Sequence, residues 1–588
     1  MSQGKYFREE LSFLRDQGKN FTEIHPQLSR FLHGRNTDPD VERLLEGFAF
    51  LTSRLREKVE DEFPELTHSM INMLWPNYLR PIPSMSIVKF TADQSISEKH
   101  IIQSGTKLDS KIVSSTRCKF RTCRDIELYP LECNGISAHH SREASTIDLT
   151  LSINGQLTVE DIKLNTLRFY LGGEKYSSEM LYLWLNNYLS SITVIFGEVE
   201  INLPSDSFSL VGFNGDGMLP YPKNVYDGYR IIQEYLSFPD AFYFFDLKKI
   251  SAVLPPSVSG SFTLRFNFTK TLTSNVKVDT QTFQLYCTPI VNLFQHDADP
   301  IDLTGKNTEY RVTPSSRNPS HYEIFSTDEV AGWQDSRETH SRIRGEKRLY
   351  SSFESFQHEV ERVRDRTALY YRMRVKESAR EDGFDSYISF VRSDESVVYD
   401  LTEVVSLKLT CTNRQLPLQL GIGDISHPTE TSPAFTEFKN LTIPSQPLRP
   451  ILDGSLLWTL ISNLSLNYLS LLSKDALSSV LKAYDFKALV DRQAEQIGRM
   501  RIKGIISIES KPTDRLVQGL PVRGIKSTIK LDENSFGSEG ELFLFGTVLS
   551  KFFALYASIN SFHELVVVNA TNNEEYSWGI QEGMQPLI

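Results

Sequence analysis

The stretch DVERLLEGFAFLTSRLREKVEDEF, residues 40–63, decides the fold of the N-terminal part of this 588-residue chain. Asp38 and Pro39 precede it, and this pair is typical of a helix start because aspartate caps the helix and proline fits its first turn. At 100° per residue, apolar side chains fall on one face and charged ones on the other. The apolar face consists of Val41, Leu44, Leu45, Phe48, Leu51, Leu55, Val59 and Phe63. The pattern predicts an amphipathic helix about 36 Å long.

Further helices are predicted on both sides of this one. Residues 6–24 carry an apolar stripe that includes Phe7, Leu11 and Leu14, and residues 64–74 form a third helical stretch. Prolines then recur over residues 76–83 and stop helical structure, since proline lacks the backbone donor. The sequence therefore predicts a helical N-terminal segment over residues 1–84.

After residue 84 the sequence pattern changes from helical periodicity to the alternation that is typical of strands. Stretches such as SMSIVKF, TIDLTLSI and GSFTLRFNF alternate β-branched and aromatic residues between Gly, Asn and Ser turns. We predict a β-rich domain over 85–300 with one helix near 178–189, and a second β-rich domain over 301–443 with a charged extension at 333–382. A C-terminal α/β domain follows over 444–588. The predicted class is α+β and multidomain.

Composition excludes several classes of function. The net charge is −11 and no dense basic run stands out, so nucleic-acid binding is not expected. The chain begins without an apolar signal region, and its most apolar stretch, residues 456–472, contains Thr, Ser and Asn. Because polar side chains are costly in a bilayer, that stretch is interpreted as a buried helix rather than a membrane span. A cytoplasmic protein is expected.

Motifs for chemistry are absent from the sequence. Five widely spaced cysteines match neither a redox pair nor a zinc site, and they are expected to be reduced thiols. Residues 532–543 resemble a calcium-binding loop, but Phe536 and Phe543 replace oxygen ligands. No phosphate-binding loop, nucleophile elbow or zinc-protease motif occurs. No catalytic residue, metal or cofactor is therefore predicted.

Several blocks, taken together, resemble a known family. They are DPDVERLLEGFAFLTSRLREKVEDEFPELT with WPNYLRPIPSMSIVKF, CKFRTCRDIELYPL, the stretch 211–247, CTPIVNLFQHDADPI, LTCTNRQLP, LWTLISNLSLNYLSLL and VLSKFFALYASINSF. In this order, over nearly the whole chain, they resemble TssF (also VasA or ImpG), the baseplate subunit family of type VI secretion systems. The blocks TPIVNLF and CTNRQLP are interpreted as folding constraints, such as fixed turns, rather than as binding residues.

The resemblance implies a structural part of the baseplate wedge rather than an enzyme. The implied partners are a second TssF-like copy, a TssG-like wedge subunit, a TssK-like adaptor to the membrane complex, a TssE-like sheath initiator and a VgrG-like spike hub. The implied location is the cytoplasm, docked at the inner membrane through the secretion complex without direct insertion. A fold similar to contractile-tail wedge proteins is expected.

The N-terminal helices are the predicted partner interface. Phe50 points out of the charged face of its helix, and a helix with two apolar sides usually has two partners. We expect a bundle with TssG and a second copy to involve Phe7, Leu11, Leu14, Leu44, Phe48, Phe50 and Leu51. The alternative is that most of these side chains close the chain's own core.

Two other functions stay open at this point. A wedge protein of a phage tail or of an extracellular contractile injection system shares the architecture but not the TssK adaptor. A carbohydrate-active enzyme on the β-rich region would need two carboxylates about 5–9.5 Å apart. The proline-rich segments 76–83 and 444–450 are predicted joints between rigid parts.

Overall fold

The structure is a computed structural model that describes residues 11, 39–60, 64–93, 96–155, 157–215, 217–221, 227–303, 307–334, 347–353, 369–378, 383–392, 403–449, 473–517, 520–557 and 561–583. The chain divides into two compact units. One contains residues 1–72 and 451–462, and the other contains residues 73–450 and 463–588.

The N-terminal unit is helical where it is described. Helix α1 spans Pro39–Glu60 and helix α2 spans Pro64–Leu74, as the sequence predicts. The predicted helix over residues 6–24 lies outside the described residues except for Leu11, which is helical. The buried helix predicted over 456–472 also lies outside them.

The described residues of the first β-rich region form fifteen strands and three α-helices. The strands are β1 (Met85–Ala92), β2 (His100–Ile102), β3 (Lys107–Val113), β4 (Thr116–Thr122), β5 (Ile126–Leu128), β6 (Leu131–His140), β7 (Ser145–Ile153), β8 (Thr166–Leu171), β9 (Leu189–Phe196), β10 (Val199–Asn202), β11 (Phe208–Leu210), β12 (Phe244–Lys248), β13 (Ser261–Phe268), β14 (Phe283–Leu285) and β15 (Cys287–Val291). The helices are α3 (Val159–Ile162), α4 (Lys175–Leu183) and α5 (Asp227–Ser237). Helix α4 continues into a π-turn at Trp184–Tyr188, so the helix predicted near 178–189 is present. Helix α5 was not predicted.

The next nine strands form a module with its own core. They are β16 (Phe294–Asp297), β17 (Ile301–Leu303), β18 (Tyr310–Val312), β19 (Glu323–Gln334), β20 (Lys347–Leu349), β21 (Ser351–Ser352), β22 (Leu369–Glu377), β23 (Phe384–Arg392) and β24 (Glu403–Thr412). They pair only with one another, in one sheet around β24 and β19 and a second around β22 and β23. We call residues 294–412 the inserted module. The charged stretch predicted as an extension is described here only in part.

The chain then returns to the first β-rich region before entering its C-terminal part. Strands β25 (Ile425–Pro428) and β26 (Thr436–Asn440) close a six-stranded sheet with the order β25-β3-β4-β15-β1-β26. The C-terminal elements are α6 (Lys474–Tyr484), α7 (Phe486–Val490), α8 (Arg492–Gly504), β27 (Ile505–Val517), β28 (Leu520–Leu531), α9 (Glu539–Tyr556), β29 (Phe562–Asn569) and β30 (Glu575–Glu582). One sheet therefore joins strands from two of the segments proposed from the sequence. The proposed limits at 84, 300 and 443 stay a prediction.

Helix α9 is the centre of the C-terminal part. It begins at Glu539 because the Ser538 side chain accepts a hydrogen bond from the backbone N–H of Glu541, three residues on. The helix packs against α4 and α5 of the first β-rich region and against β29 and β30. The two regions thus share one core.

Aromatic side chains fill much of this core. Trp75 and Tyr78 follow α2, and both rings contact the ring of Tyr484 in α6, at centroid distances of 6.2 and 6.0 Å. The rings of Tyr229 and Tyr484 stack at 4.9 Å, and Tyr229 also meets Phe552 of α9. The high aromatic content therefore serves the interior of this unit as well as any partner surface.

One close backbone approach makes a prediction about stability. A Cβ on Gly540 of α9 would overlap the backbone of Glu179 in α4. Gly540→Ala should therefore force the two helices apart and lower the free energy of unfolding by about 1–3 kcal/mol. Urea unfolding followed by circular dichroism measures this loss. Gly579→Ala is the control, because open space surrounds that position, and equal stability of the two variants would contradict the close packing.

Candidate subunit interface

Helix α1 exposes large apolar side chains. Leu44, Phe48 and Leu51 are 73%, 59% and 61% exposed. Their spacing of four and three residues places them in one stripe along the helix. Three such neighbours on one helix form an apolar patch, and patches of this kind mark interaction sites on soluble proteins.

The sequence predicted one continuous apolar face on α1, and in the structure some of its residues are buried while others are exposed. Ala49 is buried, and Val41 and Leu45 are partly buried. These three positions follow one another at intervals of four residues, next to the exposed stripe. One half of the apolar arc is therefore covered and the other half is left open.

Phe50 lies outside both halves of this arc. It is 53% exposed, and it is two residues from Phe48, which places it about 200° around the helix axis. At the start of the helix, Arg43 lies 3.9 Å from Asp40. This exposed ion pair contributes little to stability. The exposed surface of α1 is thus apolar on more than one side.

The seven predicted interface residues have different outcomes. Leu44, Phe48, Phe50 and Leu51 are exposed on α1, and Leu11 is helical and partly buried. Phe7 and Leu14 lie outside the described residues. The role of all seven in a partner interface stays a prediction.

A pair of asparagines lies where the inserted module joins the rest of the chain. The sequence did not predict this second feature. Asn292 precedes the module and Asn413 follows it, and both are fully buried. The backbone N–H of Asn413 donates to Oδ1 of Asn292 at 2.6 Å, and Nδ2 of Asn292 donates to Oδ1 of Asn413 at 2.9 Å. We call this pair the asparagine clasp.

The clasp is also fixed to the six-stranded sheet. Lys119 of β4 donates its N–H to Oδ1 of Asn413 at 2.9 Å and accepts from Nδ2 of Asn292 at 2.7 Å. The sequence had drawn attention to both asparagines. Asn292 lies in the block TPIVNLF, and Asn413 lies in the block CTNRQLP. The sequence indicated fixed turns there, but it did not indicate that the two blocks meet.

The described part of the chain offers neither a metal site nor a reactive thiol. No group of three or more His, Cys, Asp or Glu residues there could hold a metal ion. All five cysteines are free, and burial raises the pKa of Cys118, Cys287 and Cys411 to about 12. Thiols with such pKa values are inert at neutral pH.

The loop that resembled a calcium site has a structural role. Asp532 accepts a hydrogen bond from the N–H of Asn534 at 3.1 Å and starts a short helical turn. Phe536 is buried and its ring meets that of Phe545 in α9.

No described helix is long and apolar enough to cross a membrane.

Comparisons with known proteins agree with this description. The family model "Type VI secretion system, TssF" matches residues 2–585. Type VI secretion system component TssF1 of Pseudomonas aeruginosa is 28% identical over 632 aligned positions, which cover 99% of each chain.

Two solved structures are similar as well. A chain of the TssK-TssF-TssG baseplate subcomplex of a type VI secretion system, determined by cryo-electron microscopy, is 29% identical with a TM-score of 0.77, over 92% of this chain and 98% of that one. A chain of a type VI baseplate complex shares the fold with a TM-score of 0.62 and 23% identity over both full chains.

The fold of many sheets and the similarity to chains of baseplate complexes define the class of protein, a structural component of a protein assembly. The match over residues 2–585 makes the assembly specific. The chain belongs to the TssF family, the structural baseplate components of type VI secretion systems. The resemblance found in the sequence is confirmed.

The asparagine clasp makes a prediction about the inserted module. Asn413→Ala removes an acceptor for two buried donors, so it should lower the free energy of unfolding by about 1–3 kcal/mol. Asn292→Ala should cost a similar amount, and the double variant should cost less than the two single variants combined, because the pair acts as a unit. Chemical denaturation of the four proteins measures this coupling.

Asn307→Ala is the control for the clasp, because that asparagine is exposed within the module. Additive losses in the double variant would show that the two asparagines act independently.

Proposed function

We propose that this chain is a wedge subunit that pairs with a second copy of itself and with a TssG-like subunit through its N-terminal helices. The proposal goes beyond family membership, because it assigns the pairing to a particular surface. One observation carries it, the exposed stripe of Leu44, Phe48 and Leu51 on α1. A chain that functions alone would bury such a stripe in its own core.

The energetics of the stripe fit a stable complex. Burying a Leu or Phe side chain contributes about 1.5–3 kcal/mol, so the three residues together supply a large share of a binding free energy. Obligate interfaces of about 2,000–5,000 Å² are expected for subunits that assemble permanently. One helix supplies only part of such an area, and therefore other surfaces of the chain must take part.

In this proposal the subunit also scaffolds the rest of the baseplate. A TssK-like adaptor, a TssE-like sheath initiator and a VgrG-like spike hub are its further partners. The similarity to a chain of a TssK-TssF-TssG subcomplex supports the TssG-like and TssK-like partners. Through the adaptor the subunit would dock at the inner membrane from the cytoplasm.

The proline-rich segments proposed as joints are paired with each other. The N–H of Ile82 donates to the carbonyl of Leu448 at 2.7 Å, and the N–H of Leu448 donates back at 2.9 Å. Next to this bridge, the N–H of Ser445 donates to the carbonyl of Met85 at 2.8 Å, and the N–H of Met85 donates to the side-chain hydroxyl of Ser445 at 2.9 Å. We infer that the two segments move as one joint when the baseplate changes shape.

The interface proposal is tested by charge on the stripe. Phe48→Asp and Leu51→Asp would each bury a carboxylate in an apolar contact, which costs several kcal/mol. Each should weaken the complex with a co-expressed TssG-like subunit at least tenfold, and Phe50→Asp should weaken it as well. Mass measurement of the purified complex gives the result.

Ile112→Asp is the matched control, because Ile112 is 62% exposed at the end of β3, outside the predicted interface. Circular dichroism should show that every variant keeps its β-rich region folded. Complexes of unchanged mass and affinity with the α1 variants would overturn the interface assignment.

A further inference from the structure

A second exposed apolar surface lies on two consecutive helices near the C-terminus. Helix α7 ends with Leu489 and Val490, and α8 carries Ile497 and Met500 one turn apart. All four side chains are exposed, Ile497 by 44% and Met500 by 50%. We call residues 486–504 the α7–α8 corner. Four exposed large apolar residues on two short helices exceed what a monomer needs.

The corner is held rigidly from behind. Gly498 is buried against the carboxylate of Asp485 and the methyl group of Ala488, which leaves no room for a side chain. Nε of Arg501 donates to Oε1 of Glu541 in α9 at 3.0 Å, so the inner face of α8 is tied to the central helix. Ile497 and Met500 stay exposed beside these anchored positions, so their side chains are presented in a fixed orientation.

The charges of the corner are unbalanced. Its carboxylates already have partners, since Asp491 caps α8 and Glu495 forms an ion pair with Arg499. Arg492 and Lys503 are exposed and have no ion-pair partner among the described residues. Free cations beside an apolar patch favour a ligand that combines apolar and acidic groups.

We propose that the α7–α8 corner docks an acidic amphipathic helix of a neighbouring baseplate subunit. The apolar residues of that helix pack on Leu489, Val490, Ile497 and Met500, and its carboxylates pair with Arg492 and Lys503. The surface is helical, so it offers no strand edge for β-addition. Glu495 and Asp491 lie among the cations, which disfavours an anionic lipid surface and fits a helix of mixed charge.

This inference rests on the proposed function, because it requires neighbouring subunits. The test uses the full chain co-expressed with TssG-like and TssK-like subunits, with a photo-cross-linking amino acid at Met500 or Ile497. After illumination, mass spectrometry identifies the attached segment. The expected adduct is a helical segment that is rich in Glu or Asp.

Charge variants complete the test. The double variant with Arg492→Glu and Lys503→Glu should reduce the adduct yield at least fivefold, whereas Lys530→Glu, an exposed cation of β28, should leave it unchanged. If the unmodified subunits form no complex, the proposed function fails. If the complex forms but Met500 gives no adduct, or gives one with lipid, a strand or a basic segment, the corner inference is overturned. If the double variant gives the same adduct yield as the unmodified chain, the corner inference is overturned as well.

Discussion

The buried contact between Asn292 and Asn413 is the constraint on which the arrangement of the β-rich region depends. The inserted module has its own core and its own two sheets. Besides the clasp, the Arg80 guanidinium over the Phe325 ring and the ion pair of Arg449 with Glu323 connect it to the rest of the chain. The clasp closes the two ends of the module on each other and on Lys119 of the six-stranded sheet. An amide side chain suits the Asn292 position because its nitrogen donates while its oxygen accepts, and the side chain of Asn413 contributes through its oxygen, which accepts two hydrogen bonds.

The chain combines a well-packed interior with exposed apolar surfaces. Helix α9 packs between α4, α5 and the last sheet, and aromatic rings fill the space around Tyr484. Helix α1 and the α7–α8 corner keep large apolar side chains exposed. Exposed apolar surfaces of this kind mark interaction sites, and in our proposal neighbouring subunits cover both.

Sequence patterns predicted the elements that depend on neighbours along the chain. The period of 3.6 residues found α1, and alternation with β-branched and aromatic residues found longer strands of the first β-rich region such as β1, β7 and β13. Local patterns failed where contacts are long-range. Helix α5 was missed although Tyr229, Ile232 and Leu236 recur at helical spacing, and its polar residues Arg230, Gln233 and Glu234 are buried as well. Only the packing of α5 against α9 explains why both kinds of residue are buried.

By itself the sequence determined the class of the fold, the family and the apolar character of α1, because each of these is written in the order and spacing of residues. Only the tertiary structure decided which half of the α1 face is covered, that two distant asparagines meet, and that residues 294–412 form a module with a separate core. These are properties of residues that meet across the sequence, and Asn292 and Asn413 are more than a hundred positions apart. The spacing of side chains along one segment carries no information about which distant segment will pack against it.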